Sequence, residues 1–278
     1  MAFNMEVILE ALNVSFEYAD GTKALKDVSV KIEKGKKIAV LGPNGAGKTT
    51  LFLHFNGILR PKSGKVLYKG RELSYNRKEV IKLRKNVGIV FQNPDVQLFF
   101  ATVYQEISFG PMNLGYEEKV VKKKVEEVME KLHISYLKDK PTHFLSYGQK
   151  KIVSIADILV MEPEVIILDE PTAYLDAEHT EELIKLLDSL KEEGKTIVVS
   201  THDVDFAYLW ADYIYVMKDG KIIKEGTPYE IFTGDSKGER LKKPLILEVY
   251  EILKDKNIIH KEEVPRNVEE LKKAIREN

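Results

Sequence analysis

Apolar residues come in short runs at the start of the chain and at helical spacing farther on. From Met5 to Ile32 the runs VILEAL, VSFEY and ALKDVSVKI are divided by the polar turn Ala19-Asp20-Gly21-Thr22. Such runs bounded by turn residues predict short strands, here an antiparallel sheet. A strand in KKIAVLG follows, then a glycine-rich turn and a helix through Leu53. Pro61-Lys62-Ser63-Gly64 predicts a turn and KVLYKG a strand. After a charged segment from Arg71 to Lys85, VGIVFQ (residues 87–92) predicts another strand, ended by Gln92. Beyond Gly115 the spacing changes. Val120, Val121, Val125, Val128, Met129 and Leu132 mark one face of a Lys/Glu-rich segment, which predicts an amphipathic helix in a helical insertion. VIILDEP (165–171) and KTIVVSTHD predict buried strands around a helix carrying Leu183, Ile184, Leu187 and Leu190 and closed by Gly194. YIYVMKDG and KIIKEGT predict a hairpin about Asp219-Gly220.

Alternating strands and helices predict an α/β fold. The polar stretch from Thr233 to Arg240 sets a boundary, with a main domain over 1–232 and its helical part at about 96–160. Residues 233–278 form a small helical appendage, in which Leu245, Leu247, Val249 and Ile252 predict docking on the core or on a second subunit.

The chemistry concentrates at strand ends. Gly42, Pro43, Asn44, Gly45, Ala46, Gly47, Lys48, Thr49 and Thr50 spell the phosphate-loop pattern between a strand and a helix. Glycines there let backbone N–H groups turn inward to an anion, and the helix adds its positive end. Lys48 would reach the β- and γ-phosphates and Thr49 would ligate Mg²⁺. Asp169 and Glu170 end a buried strand, where adjacent carboxylates are costly to desolvate without a cation. Asp169 fits a metal ligand and Glu170 the orientation of an attacking water. Gln92 and His202 lie at strand ends on the same edge, and Ser146 opens a helix through Tyr147, Gly148 and Gln149, as an N-cap or a second anion site. Tyr18 closes a strand and offers a face on which a nucleobase stacks.

Composition narrows the partners. The 278 residues carry 43 basic and 44 acidic side chains, a net charge of −1, which gives no general attraction for nucleic acid. No cysteine is present, so disulfides and thiolate metal sites are excluded. No apolar run approaches the ~18 residues of a membrane span, and MAFNMEVILEAL lacks a secretory signal's pattern. A cytoplasmic protein is expected. No Asn-Lys-x-Asp guanine-reading motif occurs, which argues against a GTPase switch.

Taken together, the phosphate loop, LDEP, Gln92, the LSYGQ turn and His202 resemble the ATP-binding cassette ATPases across about residues 5–232. QNPDVQLFFATVYQEISFGPMNLG (92–115) and VPRNVEEL (264–271) are similar to the energy-coupling-factor or cobalt/nickel importer type. The resemblance implies a P-loop NTPase (RecA-like) core with an N-terminal antiparallel β subdomain and a helical signature subdomain. It implies ATP and Mg²⁺ as cofactors, a second ATPase subunit arranged head to tail, and integral membrane transport subunits on the cytoplasmic face of the cell membrane. By the same resemblance Tyr18 stacks on adenine, and Lys48 with the backbone of Gly42 to Gly47 holds phosphates. Thr49, Gln92 and Asp169 surround Mg²⁺, Glu170 is the general base, and His202 bridges the γ-phosphate. Ser146, Gly148 and Gln149 come from the partner, and Asp176 communicates across the interface.

Tyr147 replaces a glycine of the family's usual signature, Ile152 stands where arginine is common, and Asp157 stands where many members have arginine or a small residue, so a weakened signature face is expected. The apolar segment Asp95 to Phe100, with Leu98 and Phe99, is expected to dock a helix of a membrane subunit. The function implied is ATP hydrolysis powering import of a metal ion or vitamin. The alternatives are a soluble cassette ATPase acting on ribosome or nucleic acid, and a largely non-hydrolysing partner subunit.

Overall fold

A computed structural model of the chain describes residues 6–233, 241–259 and 264–276. The first half runs β1 (Val7–Glu17), β2 (Lys23–Glu33), β3 (Lys37–Leu41), α1 (Lys48–Phe55), β4 (Ser63–Tyr68), β5 (Arg71–Glu72), α2 (Arg77–Asn86), β6 (Val87–Val90), α3 (Val103–Asn113) and α4 (Glu118–Lys131). The second runs α5 (Tyr147–Leu159), β7 (Val165–Leu168), α6 (Ala177–Glu192), β8 (Thr196–Thr201), α7 (Val204–Trp210), β9 (Tyr213–Lys218), β10 (Lys221–Gly226), α8 (Pro228–Thr233), α9 (Leu245–Asp255) and α10 (Val268–Arg276).

The strands form two sheets, ordered β2-β1-β4-β5 and β10-β9-β3-β8-β7-β6. The first is antiparallel. In the second, β9, β3, β8, β7 and β6 are parallel, and β10 closes the edge antiparallel to β9. Residues of β6, β7 and β8 are buried throughout, as strands covered on both faces must be. Period two sends Ala39, Leu41, Ile166, Leu168, Ile197 and Val199 into a core shared with α3 to α7. Their neighbours Ile38, Val40, Val165, Ile167 and Val198 enter a second core with α1 and the antiparallel sheet.

Three expectations need correction. VILEAL and VSFEY are one strand, β1, because the break between them is a bulge. Its register against β2 shifts between Ala11 and Val14, Asn13 takes φ 50 and Asp27 φ 60, and side chains fill the gap. Asn13 Nδ2 donates to Asp27 Oδ1 at 3.0 Å and Asp27 N to Ser15 Oγ at 2.9 Å. Next, β6 stops at Val90, so Gln92 lies beyond the strand and not in its last position. Lastly, Val120 is exposed, whereas Val121, Val125, Val128 and Met129 pack inward. The helix α3 carries Pro111 near its end and starts with a capping box between Thr102 and Gln105.

The expected boundary lies outside the described residues from 234 to 240. Past it, α9 turns Leu247 and Tyr250 inward and leaves Leu245 and Ile252 exposed. Leu247 joins the core shared with α7, and a small cluster of Tyr250, Ile259, Leu271 and Ala274 joins α9 to α10. Arg266 Nη2 donates to the carbonyls of Tyr208, Leu209 and Ala211 at 3.0, 3.2 and 2.6 Å, so a cation caps the C-terminal end of α7. Arg266→Met should lower the unfolding free energy by about 2 kcal/mol, the scale of hydrogen bonds from a charged donor. A urea midpoint equal to that of wild type would contradict the assignment.

Candidate active site

β3 ends at the carboxyl edge of the parallel sheet, between β8 and β9, and the loop after it crosses that edge, where α/β folds bind ligands. Two glycines are dictated by geometry. A Cβ on Gly42 would lie 2.2 Å from Met217 O, and Gly47 takes φ 104 with a Cβ that would lie 2.5 Å from Ala24 O. The first turn of α1 has N–H groups without partners inside the helix, as every helix start does. A cavity of about 460 Å³ opens beside it, lined by residues 44–50, Tyr18, Gln92, Asp169 and Glu170.

Lys48 is buried at the base of this cavity, 5% exposed. Its Nζ donates to Gly42 O at 2.6 Å and Pro43 O at 3.1 Å, and lies 3.0 Å from Glu170 Oε1. That contact is an ion pair without aligned hydrogen bonding, since Oε1 is a buried acceptor with no hydrogen-bond partner. Glu170 Oε2 faces His202 Nδ1 at 2.9 Å, and the His202 side chain is largely exposed. Glu170 itself sits in the left-handed region at φ 42, a conformation that costs energy for a residue with a side chain and points to a functional constraint.

Asp169 is also anchored. Its Oδ2 accepts from Thr49 Oγ1 at 2.6 Å and its Oδ1 from Ser200 Oγ. Ser200 in turn accepts from Glu170 N at 2.8 Å, so one hydroxyl on β8 fixes both adjacent acids. Ser200 is a residue the sequence reading missed. The available signal was its place in the buried run before His202. Tyr18 Oη bonds Thr50 Oγ1 at 3.0 Å, and its ring stands edge-on to Phe16 at the cavity rim.

The structure therefore brings together Tyr18, the loop from Gly42 to Thr50, Gln92, Asp169, Glu170 and His202. It does not bring the remaining candidates to this cavity. Ser146 and Gln149 form the capping box of α5: Ser146 Oγ accepts from Gln149 N at 3.3 Å, and Gln149 Oε1 accepts from Ser146 N at 3.1 Å. Gly148 lies against His179, and Asp176 caps α6 through His179 N at 2.9 Å. The other departures from the signature have local partners. Ile152 packs against the core, and Asp157 accepts from Gln97 Nε2 at 3.2 Å while burial pushes its carboxyl up to about 7. Gln97 Oε1 accepts from Phe91 N at 3.2 Å, which ties this group to the strand end before Gln92.

A glycine-rich loop at a helix start, a buried lysine and a carboxylate oxygen left without a hydrogen bond define a P-loop nucleoside-triphosphate hydrolase. The family described as ABC transporter matches residues 25–173, and the chain belongs to that family, as an ATPase. It is 49% identical over 269 residues to the energy-coupling factor transporter ATP-binding protein EcfA of Methanocaldococcus jannaschii, covering 94% of this chain and 96% of that one. Among solved structures, cbiO1 of Clostridium perfringens, part of the ABC transporter complex cbiONQ, is 49% identical with TM-score 0.74, over 82% of this chain and 92% of its own. A bacterial ABC transporter cassette solved as a dimer is 28% identical with TM-score 0.72, over 80% of this chain and 99% of its own.

Proposed function

We propose that this ATPase powers import of a metal ion or vitamin through separate integral membrane subunits, paired head to tail with a second ATPase subunit on the cytoplasmic face of the membrane. Residues 1–232 act as the nucleotide-binding domain and 233–278 as its appendage. Near-full-length likeness to an energy-coupling factor ATPase and to a member of a transporter complex supports the reading. The observation that carries it is an apolar patch just beyond Gln92. Val96, Phe99 and Met112 are 68%, 67% and 63% exposed, and the rings of Phe99, Phe100 and Phe109 cluster in tilted and edge-on contacts with centroids 4.7 to 5.3 Å apart. Such a patch suits a helix of a membrane subunit. Leu98, by contrast, packs against the core. Among the described residues no helix is long and apolar enough to cross a membrane.

In the proposed site Lys48 and the loop backbone orient the triphosphate, and Tyr18 stacks on the adenine. Thr49, Gln92 and Asp169 would hold Mg²⁺. The Thr49–Asp169 contact places two hard oxygen donors at the cavity wall, and the scarcity of protein carboxylates fits an ion that shares phosphate oxygens. Mg²⁺, when bound, offsets the negative charge of the β- and γ-phosphates. Glu170 accepts a proton from water aligned for attack on the γ-phosphorus, with Oε1 ion-paired to Lys48 and Oε2 facing His202. Ser146, Gly148 and Gln149 of each chain serve the opposite subunit's nucleotide, and Asp176 lies at that interface.

The test is capture of the Glu170→Gln chain, with ATP, from detergent-solubilised membranes of the source organism. An integral membrane subunit should be retained. Phe99→Asp should release it while ATP binding stays unchanged. Retention of ribosomal proteins without a membrane subunit would overturn the transport reading, and normal capture of Phe99→Asp would move the docking site elsewhere.

A further inference from the structure

Two donors from one helix converge on a single carbonyl at the edge of the nucleotide cavity. Tyr147 Oη donates to Gln92 O at 3.0 Å, and Lys151 Nζ donates to the same oxygen at 2.7 Å and to Phe91 O at 3.1 Å. A carbonyl has two lone pairs, and here both have donors. The two side chains stand four residues apart in the first turns of α5 and so share one of its faces. Lys151 is fully buried. A buried ammonium is costly unless its hydrogen bonds are made, and the partners it is given are the consecutive backbone carbonyls of Phe91 and Gln92. Burial lowers it to about 8, and the nearby Asp169 carboxylate opposes that fall.

The same turn reaches a second strand end. The Tyr147 ring meets Tyr174 edge-on at 5.6 Å, and Gly148 packs so closely on His179 that a Cβ would lie 3.2 Å from its ring. Tyr174 belongs to the turn that leaves Glu170. The start of α5 is therefore braced against the backbone carrying Gln92 and against the segment following the catalytic carboxylate.

We infer that Tyr147 and Lys151 are positioning residues that fix the Gln92 backbone and lock it to the 146–149 turn, so that the two shift together when nucleotide binds. The inference rests on the reading of Gln92 as a ligand of the chain's own nucleotide and of the turn as the element offered to the opposite one. Under it, occupancy of one site is relayed through the Phe91 and Gln92 carbonyls to the surface that completes the other. The tyrosine that replaces a glycine adds a bond to the relay as well as bulk to the turn.

Tyr147→Phe separates the two contributions, since it keeps the ring contact with Tyr174 and removes only the hydroxyl. The measurement is amide hydrogen exchange of the full chain with and without the β,γ-imido analogue of ATP plus Mg²⁺. In wild type the analogue should slow exchange in residues 43–50, 90–95 and 146–150. In Tyr147→Phe protection of 43–50 and the affinity for the analogue should persist, while protection of 146–150 falls by about half or more. The steady-state kcat should drop about fivefold with KM unchanged, the size expected for one neutral hydrogen bond that matters only after binding. Lys151→Met should act in the same direction. Protection of 146–150 that is absent in wild type, or undiminished in Tyr147→Phe, would overturn the relay. An analogue that fails to protect 43–50 in wild type would overturn the nucleotide-site reading itself.

Discussion

Glu170→Gln should reduce steady-state ATP turnover by about two to three orders of magnitude while ATP affinity stays within a few-fold of wild type. A positioned general base contributes roughly that much to a proton-transfer step. The substitution keeps the shape of the side chain and removes its ability to accept a proton. Glu170 is only 4% exposed, its backbone adopts φ 42, and its two oxygens face Lys48 and His202. A residue that served only to neutralise Lys48 would not need His202 on its far oxygen. If Glu170→Gln loses affinity and turnover in equal proportion, the carboxylate is a structural counterion, and the base is elsewhere.

The second large effect belongs to Lys48. Lys48→Ala should weaken ATP binding about a hundredfold, since a buried cation held by two loop carbonyls is already placed for the phosphates. Removing it also strands the Glu170 carboxylate, so the variant should melt earlier without ligand. The two effects separate in one experiment. ATP at about 100 times the wild-type Kd raises the Tm of wild type by mass action on the folded state, and in Lys48→Ala that rise should nearly vanish at the same ATP concentration. A preserved ATP-dependent rise would show that Lys48 supports the loop and does not hold phosphate.

The phosphate loop and the two acids were legible in the sequence because each is local: a strand, a turn and a helix start lie within one short stretch. What escaped is non-local or disguised. Ser200, which fixes Asp169 and Glu170 together, lies 31 and 30 residues from them, and nothing in a run of β-formers marks one hydroxyl as shared. The bulge at Asn13 resembled a break because a polar residue with φ 50 interrupts the apolar pattern. Nothing local in the sequence marks Lys151 and Glu106 as buried, though they are 0% and 1% exposed. Their burial is visible only once Lys151 is seen on the Phe91 and Gln92 carbonyls and Glu106 on the N–H groups of Phe99 and Phe100, at 2.8 and 2.7 Å. A charged side chain can be placed inside only by the backbone groups that receive it, and those come from distant segments.

The position of β3 between β8 and β9 bears on the order in which the protein can be made. A chain emerges from the ribosome with its N-terminus first, yet the ladder partners of Lys37–Leu41 are encoded only at Thr196–Thr201 and Tyr213–Lys218. The loop read out among the earliest residues thus waits for most of the chain before either flank is secured. Nascent fragments carry the glycines and the lysine without the sheet edge that aims them, so a half-made polypeptide holds the code for a nucleotide pocket but cannot trap nucleotide in it.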